Sequence, residues 1–192
     1  HLLHHVARHG RSAAVLTAVF EACKDAAAVL DEHGCLPMTT LLNDKRDDEV
    51  VLSVLTSKAA AVTDEDGRTL LHHAVSHRRS AAVVRAVLDA HPSATAVLDK
   101  QLRLPLVIAL QQEPELPDDE VLLTVSAEGA SVADGGGRLM LHHVVDHGRS
   151  EAVLKAVYDA NPSAAAVMDG SSRLPLVIAM ERSTPCSDEE AM

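Results

Sequence analysis

Aromatic residues are almost missing from this 192-residue chain, which has one Phe, one Tyr and no Trp. That scarcity excludes a nucleic-acid surface built on base-stacking platforms. It also leaves the core to Ala, Val and Leu, a mix suited to closely packed helices. Positive charge is short as well. Seventeen Lys and Arg stand against 28 Asp and Glu, a formal net charge of −11, the wrong sign for general affinity toward phosphates. The three cysteines, Cys23, Cys35 and Cys186, form no CxxC pair, and their odd number leaves at least one unpaired. A reduced, intracellular compartment is therefore expected. No apolar run reaches the roughly 18–20 residues of a membrane span, and no signal peptide is visible. The sequence opens on His1 rather than Met, so the natural N-terminus is expected to lie upstream. With 47% hydrophobic and 23% charged residues the balance is that of a folded chain, and disorder is not expected.

What is present is a repeat. Thr69-Leu-Leu-His-His-Ala-Val-Ser-His77 and Leu139-Met-Leu-His-His-Val-Val-Asp-His147 match each other, and the chain opens on the same phrase, His1 to His9. Between them lie Leu104-Pro-Leu-Val-Ile-Ala-Leu110, its near copy Leu174 to Met180, and a weaker version, Leu36 to Leu42. The third residue of each phrase gives six anchors, Leu3, Met38, Leu71, Leu106, Leu141 and Leu176, spaced 35, 33, 35, 35 and 35 residues apart. Asp31, Asp64, Asp99, Asp134 and Asp169 each precede an anchor by seven. A fixed period of this length is the signature of a stacked repeat array. Six repeats follow, at about 1–30, 31–63, 64–98, 99–133, 134–168 and 169–192, and odd and even copies alternate in wording, so the larger unit is a pair of about 70 residues.

Within an odd repeat the pattern predicts two helices. The first starts near Leu71 and ends near His77; Arg78-Arg79 then turns the chain, and Ser80, like Ser12 and Ser150, is placed to cap the second. The second helix carries an apolar stripe at Val83, Val84, Val87 and Leu88, repeated at Val15, Leu16, Val19 and Phe20 and at Val153, Leu154, Val157 and Tyr158. His91-Pro92 and Asn161-Pro162 end that helix, and the prolines suit the start of a further short turn. In even repeats the stripe lies at Val50, Val51, Val54 and Leu55, and in the fourth it slips by three residues to Val121, Leu122 and Val125.

These residues resemble the ankyrin repeat. The family's Thr-Pro-Leu-His-x-Ala signature is matched by Thr69-Leu70-Leu71-His72-His73-Ala74, with Asp66-Gly67-Arg68 ahead of it, while Leu104-Pro105-Leu106 and Leu174-Pro175-Leu176 keep the Pro and Leu. The chain departs from the family where the usual Gly-Ala-Asp gives way to His91-Pro92-Ser93 and Asn161-Pro162-Ser163. The resemblance covers essentially the whole chain and implies an all-α helical solenoid of helix–turn–helix units, each followed by a hairpin-like finger. It further implies a concave face of fingers and first helices that binds a protein partner, with no cofactor. The first motif lacks the Asp-Gly-Arg lead-in, and Asp188-Glu189-Glu190 aligns with Asp118-Asp119-Glu120, which reads as a segment of a longer array or a domain without polar caps.

No catalytic or metal site is expected. The pairs His5/His9, His73/His77 and His143/His147 share helix faces at i, i+4, but two ligands do not close a zinc site and none carries the Glu of a zinc-protease motif. His72 and His142 fall on the family's structural histidine, which bonds loop backbone. Cys35 beside His33 makes a poor dyad, and Gly135-Gly136-Gly137 lacks the Lys-Ser/Thr of a phosphate loop. Arg68, Arg103, Arg138 and Arg173, each three residues before an anchor, form a row that admits two readings. Either they pair internally with finger aspartates such as Asp64 or Asp99, or they engage an acidic segment of a partner. By resemblance, further contact positions on the fingers are Glu32, His33, Glu65, Asp66, Lys100, Gln101, Gly135, Gly136, Gly170 and Ser171. On the first helices they are Arg8, His9, Ser76, His77, Gln111, Asp146, His147, Glu181 and Arg182. The alternatives to a scaffold or adaptor are a spacer or regulatory arm, or a histidine-based metal-responsive module.

Overall fold

A computed structural model of the chain describes residues 2–10, 12–44 and 47–183. Among the described residues every regular element is helical, the all-α class that the repeat implies. The first repeat holds α1 (Leu2–His9) and α2 (Ala13–Ala22), and the second α3 (Pro37–Asn43), α4 (Asp48–Val54) and α5 (Ser57–Ala60). The third holds α6 (Leu70–Ser76) and α7 (Ala81–Ala90), and the fourth α8 (Pro105–Leu110), α9 (Asp118–Leu122) and α10 (Ala127–Ala130). The fifth holds α11 (Met140–Asp146) and α12 (Glu151–Ala160), and the sixth α13 (Pro175–Ser183). The aligned Asp188-Glu189-Glu190 and Cys186 lie outside the described residues.

Local chemistry sets these boundaries. Pro37, Pro105 and Pro175 open their helices, where a missing N–H costs nothing and φ is already suitable. Ser80 and Ser150 cap α7 and α12, accepting the Val83 and Val153 amides at 3.5 and 3.4 Å, whereas Ser12 makes no such side-chain bond. Pro92 and Pro162 start 3₁₀ turns over Pro92–Ala96 and Pro162–Ala166. The even repeats fill the same place with α5 and α10, capped by Thr56 and Ser126 through the Ala59 and Gly129 amides at 3.2 and 3.0 Å. The sequence reading did not anticipate these two helices.

First helices pack on one another in succession, α1 on α3, α3 on α6, α6 on α8, α8 on α11 and α11 on α13; second helices run alongside, α2 on α4, α4 on α7 and α9 on α12. One apolar core follows, running from Leu3 through Leu41, Leu71, Leu106 and Met140 to Ala164. Since a helix pair of this size cannot bury its own apolar faces, the contacts between neighbouring repeats carry the stability. A buried arginine reinforces two of them. Arg79 reaches back to Asp48, and Arg149 reaches back to Asp118 at 2.7 Å and Glu115 at 3.1 Å. The two guanidinium-bearing side chains are only 5% and 4% exposed.

Candidate functional site

The loop between repeats is one turn built five times around its aspartate. In each, Oδ1 of Asp31, Asp64, Asp99, Asp134 or Asp169 accepts the backbone N–H groups two and four residues on, at 2.8–2.9 Å. The aspartate's own N–H donates to the carbonyl four residues on, at 2.9–3.0 Å. One aspartate therefore satisfies a tight turn that no strand pairing supports, which explains the marker's regular beat. The fourth residue of every turn has positive φ: Gly34, Gly67, Leu102, Gly137 and Ser172. Neighbouring turns join through Glu65 N–H to Gly34 O at 3.0 Å, Lys100 N–H to Asp66 O at 2.8 Å and Gly170 N–H to Gly136 O at 2.7 Å. A Cβ on Gly170 would lie 2.7 Å from the Gly136 oxygen, so a side chain there would force these two turns to shift.

Histidines tie each odd first helix to the next segment. His72 Nδ1 accepts the Thr69 amide at 3.1 Å, which fixes the proton on Nε2, and Nε2 donates to Arg103 O at 3.3 Å. His142 repeats this with Leu139 at 3.1 Å and Val167 O at 3.1 Å, and His4 Nε2 bonds Cys35 O at 3.0 Å. Burial holds His72 down to about 4, against the favourable influence of the Arg103 carbonyl and Asp99.

The arginine row is paired within the chain. Arg103 grips Asp99 Oδ2 through Nε at 3.1 Å and Nη2 at 2.8 Å, and Arg68 approaches the same carboxylate at 3.7 Å. Arg173 holds Asp169 Oδ2 at 3.1–3.2 Å and reaches Glu181 at 3.5 Å. Arg138 bonds Asp146 at 2.7 Å instead. The difference follows from the residue two places after the anchor. Where it is His73 or His143, the finger aspartate takes that imidazole, at 2.7 Å for Asp64 and 2.8 Å for Asp134. Where it is Ile108 or Ile178, the aspartate is left for its own arginine. Burial raises the Asp99 carboxyl, but the bonds from Arg103 outweigh it and hold it below the usual carboxylate range. Burial lowers His73 and His143 despite their aspartate partners.

The expected contact residues divide accordingly. Glu65, Asp66, Lys100, Gln101 and Gln111 are exposed, as are Glu181 and Arg182. Ser76, His77, Asp146 and His147 are half-buried, with His147 Nδ1 donating to His143 O at 2.8 Å. Gln111, Asp146, His147 and Arg182 come together with Glu113 and Glu115 around an open depression of about 450 Å³, and Arg182 donates to the Asp146 carbonyl. Ser76 and His77 line another, of about 690 Å³, with Asp48 and Arg79. The buried arginine clamps were missed by sequence reasoning, although Arg79 and Arg149, and Asp48 and Asp118, lie 70 residues apart and share the period.

No family model matches the sequence, and no curated protein does. Among solved structures, a chain from the complex of a predatory endopeptidase of Bdellovibrio bacteriovorus with an immunity protein superposes with a TM-score of 0.67 at 18% identity, over 94% of this chain and 91% of that one. The fold is shared. At that identity the likeness speaks for the architecture alone.

The chemistry of the remaining groups is quiet. Burial first, then Asp31 and Asp64, push the Cys35 thiol up, away from the thiolate a nucleophile needs, and it donates to the His33 carbonyl at 3.5 Å. Among the described residues no three His, Cys, Asp or Glu side chains converge as a metal ion requires. No helix among them is long and apolar enough to cross a membrane.

Proposed function

We propose that this chain is an ankyrin-type protein-interaction module, a scaffold or adaptor that recognises a partner through the row of finger turns and the adjoining ends of the first helices. One observation carries the reading: the five turns are identical in their hydrogen bonding and different at their tips. The aspartate and the positive-φ residue hold each turn through backbone groups. The tip residues, Glu32-His33, Glu65-Asp66, Lys100-Gln101, Gly135-Gly136 and Gly170-Ser171, follow no common pattern and are exposed. A constant frame carrying variable exposed residues is how a repeat surface acquires selectivity without losing its fold. That the similar solved structure contains a protein complex is in keeping with this use of the fold.

An acidic segment is the partner chemistry the arginine row suggests, but its carboxylates would compete with Asp99, Asp146, Asp169 and Glu181. Selectivity then rests more on the free tips, Lys100 and Gln101 above all, than on Arg68, Arg103, Arg138 and Arg173. The surface is poor in aromatic anchors, so affinity for a single segment is modest. The test is a photo-crosslinking amino acid placed at Gln101, at Gln111 or at Arg85 on the outer helix α7, with the folded chain exposed to lysate. A discrete adduct at the first two positions and none at Arg85 is expected. Equal labelling at all three, or none at the first two, would overturn the reading in favour of a spacer.

A further inference from the structure

We propose that Leu102 is the apolar anchor of the finger face, receiving an aliphatic side chain of an extended partner segment whose neighbouring carboxylate meets Lys100. The assignment rests on the proposed function and adds to it a point of contact and the chemistry of the segment. It starts from how successive turns meet. The fourth residue of one turn lies against the second residue of the next. At three junctions that fourth residue is glycine: Gly34 against Glu65, Gly67 against Lys100 and Gly137 against Gly170. Between the third and fourth turns the places are exchanged. Leu102 holds the fourth position, and its Cδ1 stands 2.5 Å from where a Cβ on Gly135 would be, so the leucine lies across the bare backbone of the next turn.

This exchange costs the fold twice. Leu102 has a φ of 58°, a conformation that glycine adopts without strain and leucine does not. At each of the other three junctions the N–H of the second residue donates to the preceding turn at 2.7–3.0 Å, and among the described residues no such bond joins the third and fourth turns. Little is returned inside the chain, because Leu102 is 47% exposed and lies outside the apolar core. Strain held at an exposed apolar residue points to a use outside the fold.

The surroundings select the occupant. Gly135 and Gly136 raise no side chains beside Leu102, which leaves a shelf open to an extended chain. Lys100 is exposed and makes no ion pair among the described residues, whereas Asp99 holds Arg103 and Asp146 holds Arg138. The unpartnered exposed charge next to Leu102 is therefore positive and suits a carboxylate. Glu65 and Asp66 on the preceding turn are exposed and acidic, so the segment runs from Lys100 over Gly135 and Gly136, not back across the second turn.

The test is selection of a displayed library of random linear peptides on the folded chain. Fluorescence polarisation of the most enriched peptide then compares the parent with Leu102→Gly, Lys100→Ala and Arg85→Ala. Enriched peptides are expected to carry Leu, Ile or Val with Asp or Glu as a near neighbour. Leu102→Gly should unfold at higher urea than the parent yet bind the peptide about tenfold more weakly, a combination that damage to the fold cannot produce. Lys100→Ala should also weaken binding, and Arg85→Ala should not. A Leu102→Gly chain less stable than the parent overturns the proposal, since the leucine then serves internal packing. So does a library that enriches no peptide, or peptides without that pattern. A peptide weakened by Lys100→Ala but not by Leu102→Gly removes the anchor and leaves the finger-face reading standing. A peptide indifferent to both changes overturns the anchor and counts against the finger face as well.

Discussion

Replacing a finger aspartate by asparagine should cost different amounts in different repeats, and the difference can be worked out from what its second oxygen meets. Asparagine keeps a carbonyl oxygen in the place of Oδ1, so the two backbone bonds that shape the turn survive at Asp99 and Asp64 alike. At Asp99 the second position faces only donors, the Arg103 Nε and Nη2 and the nearby Arg68. An amide NH₂ there removes a bidentate charge-assisted pair and sets donor against donor. The Arg68 and Arg103 side chains are 27% and 29% exposed, and their partial hydration limits the loss to about 2 kcal/mol. At Asp64 the second position faces His73 Nε2. The imidazole can move its proton to Nδ1 and accept from the new NH₂, which a guanidinium cannot do, and the loss falls to about 1 kcal/mol. The assay is urea unfolding followed by the helical circular dichroism signal, since a chain without Trp offers little fluorescence. Equal losses at the two sites, or a larger one for Asp64→Asn, would refute the assignment of these turns.

Acid should weaken the array before carboxylates titrate. His72 is held down to about 4 when folded against about 6.5 in an unfolded chain, so protons favour unfolding; its contribution is complete above pH about 6.5 and is lost as pH falls through 4, about 3 kcal/mol in all. His73 and His143 act in the same direction, and urea midpoints that stay level from pH 7 to 5 would count against this account. Leu102→Gly should raise stability by up to about 1 kcal/mol by relieving positive φ at an exposed residue, and Gly67→Ala should lower it by about the same amount. Arg149→Ala should cost about 2 kcal/mol, with little dependence on salt because the guanidinium is buried against the preceding repeat. A loss that vanishes in high salt would place that pair on the surface.

Much of the architecture is legible because it depends on periodic, local chemistry. The anchors, the aspartate beat, the caps at Ser80 and Ser150 and the Pro-initiated turns after α7 and α12 each follow from residues within a few positions of one another, and the structure carries them out, whereas Ser12, placed alike, makes no cap bond. The short helices α5 and α10 escaped notice because Thr56 and Ser126 cap only one turn each, too little for an apolar period to form. The arginine row shows the opposite problem. Four arginines at one register position suggest four equivalent roles, yet their partners depend on whether His or Ile stands two residues beyond the anchor, a contact made across the turn. The clamps of Arg79 and Arg149 were harder still, since they join residues 31 positions apart through the packing of one repeat on another. The exposed tips carry no internal signal of what they bind, because side chains that the fold does not use leave no trace in its pattern.

The most direct test of the proposed role compares three purified chains for retention of partner protein: the parent, a tip variant with Glu65, Asp66, Lys100 and Gln101 all changed to Ala, and an outer-face variant with Arg85 and Asp89 changed to Ala. All three should unfold at closely similar urea concentrations, because none of these side chains holds a turn. Loss of the partner from the tip variant alone is the predicted result. A partner that survives the tip changes and is lost with the outer-face changes would contradict the account and move recognition to the second helices.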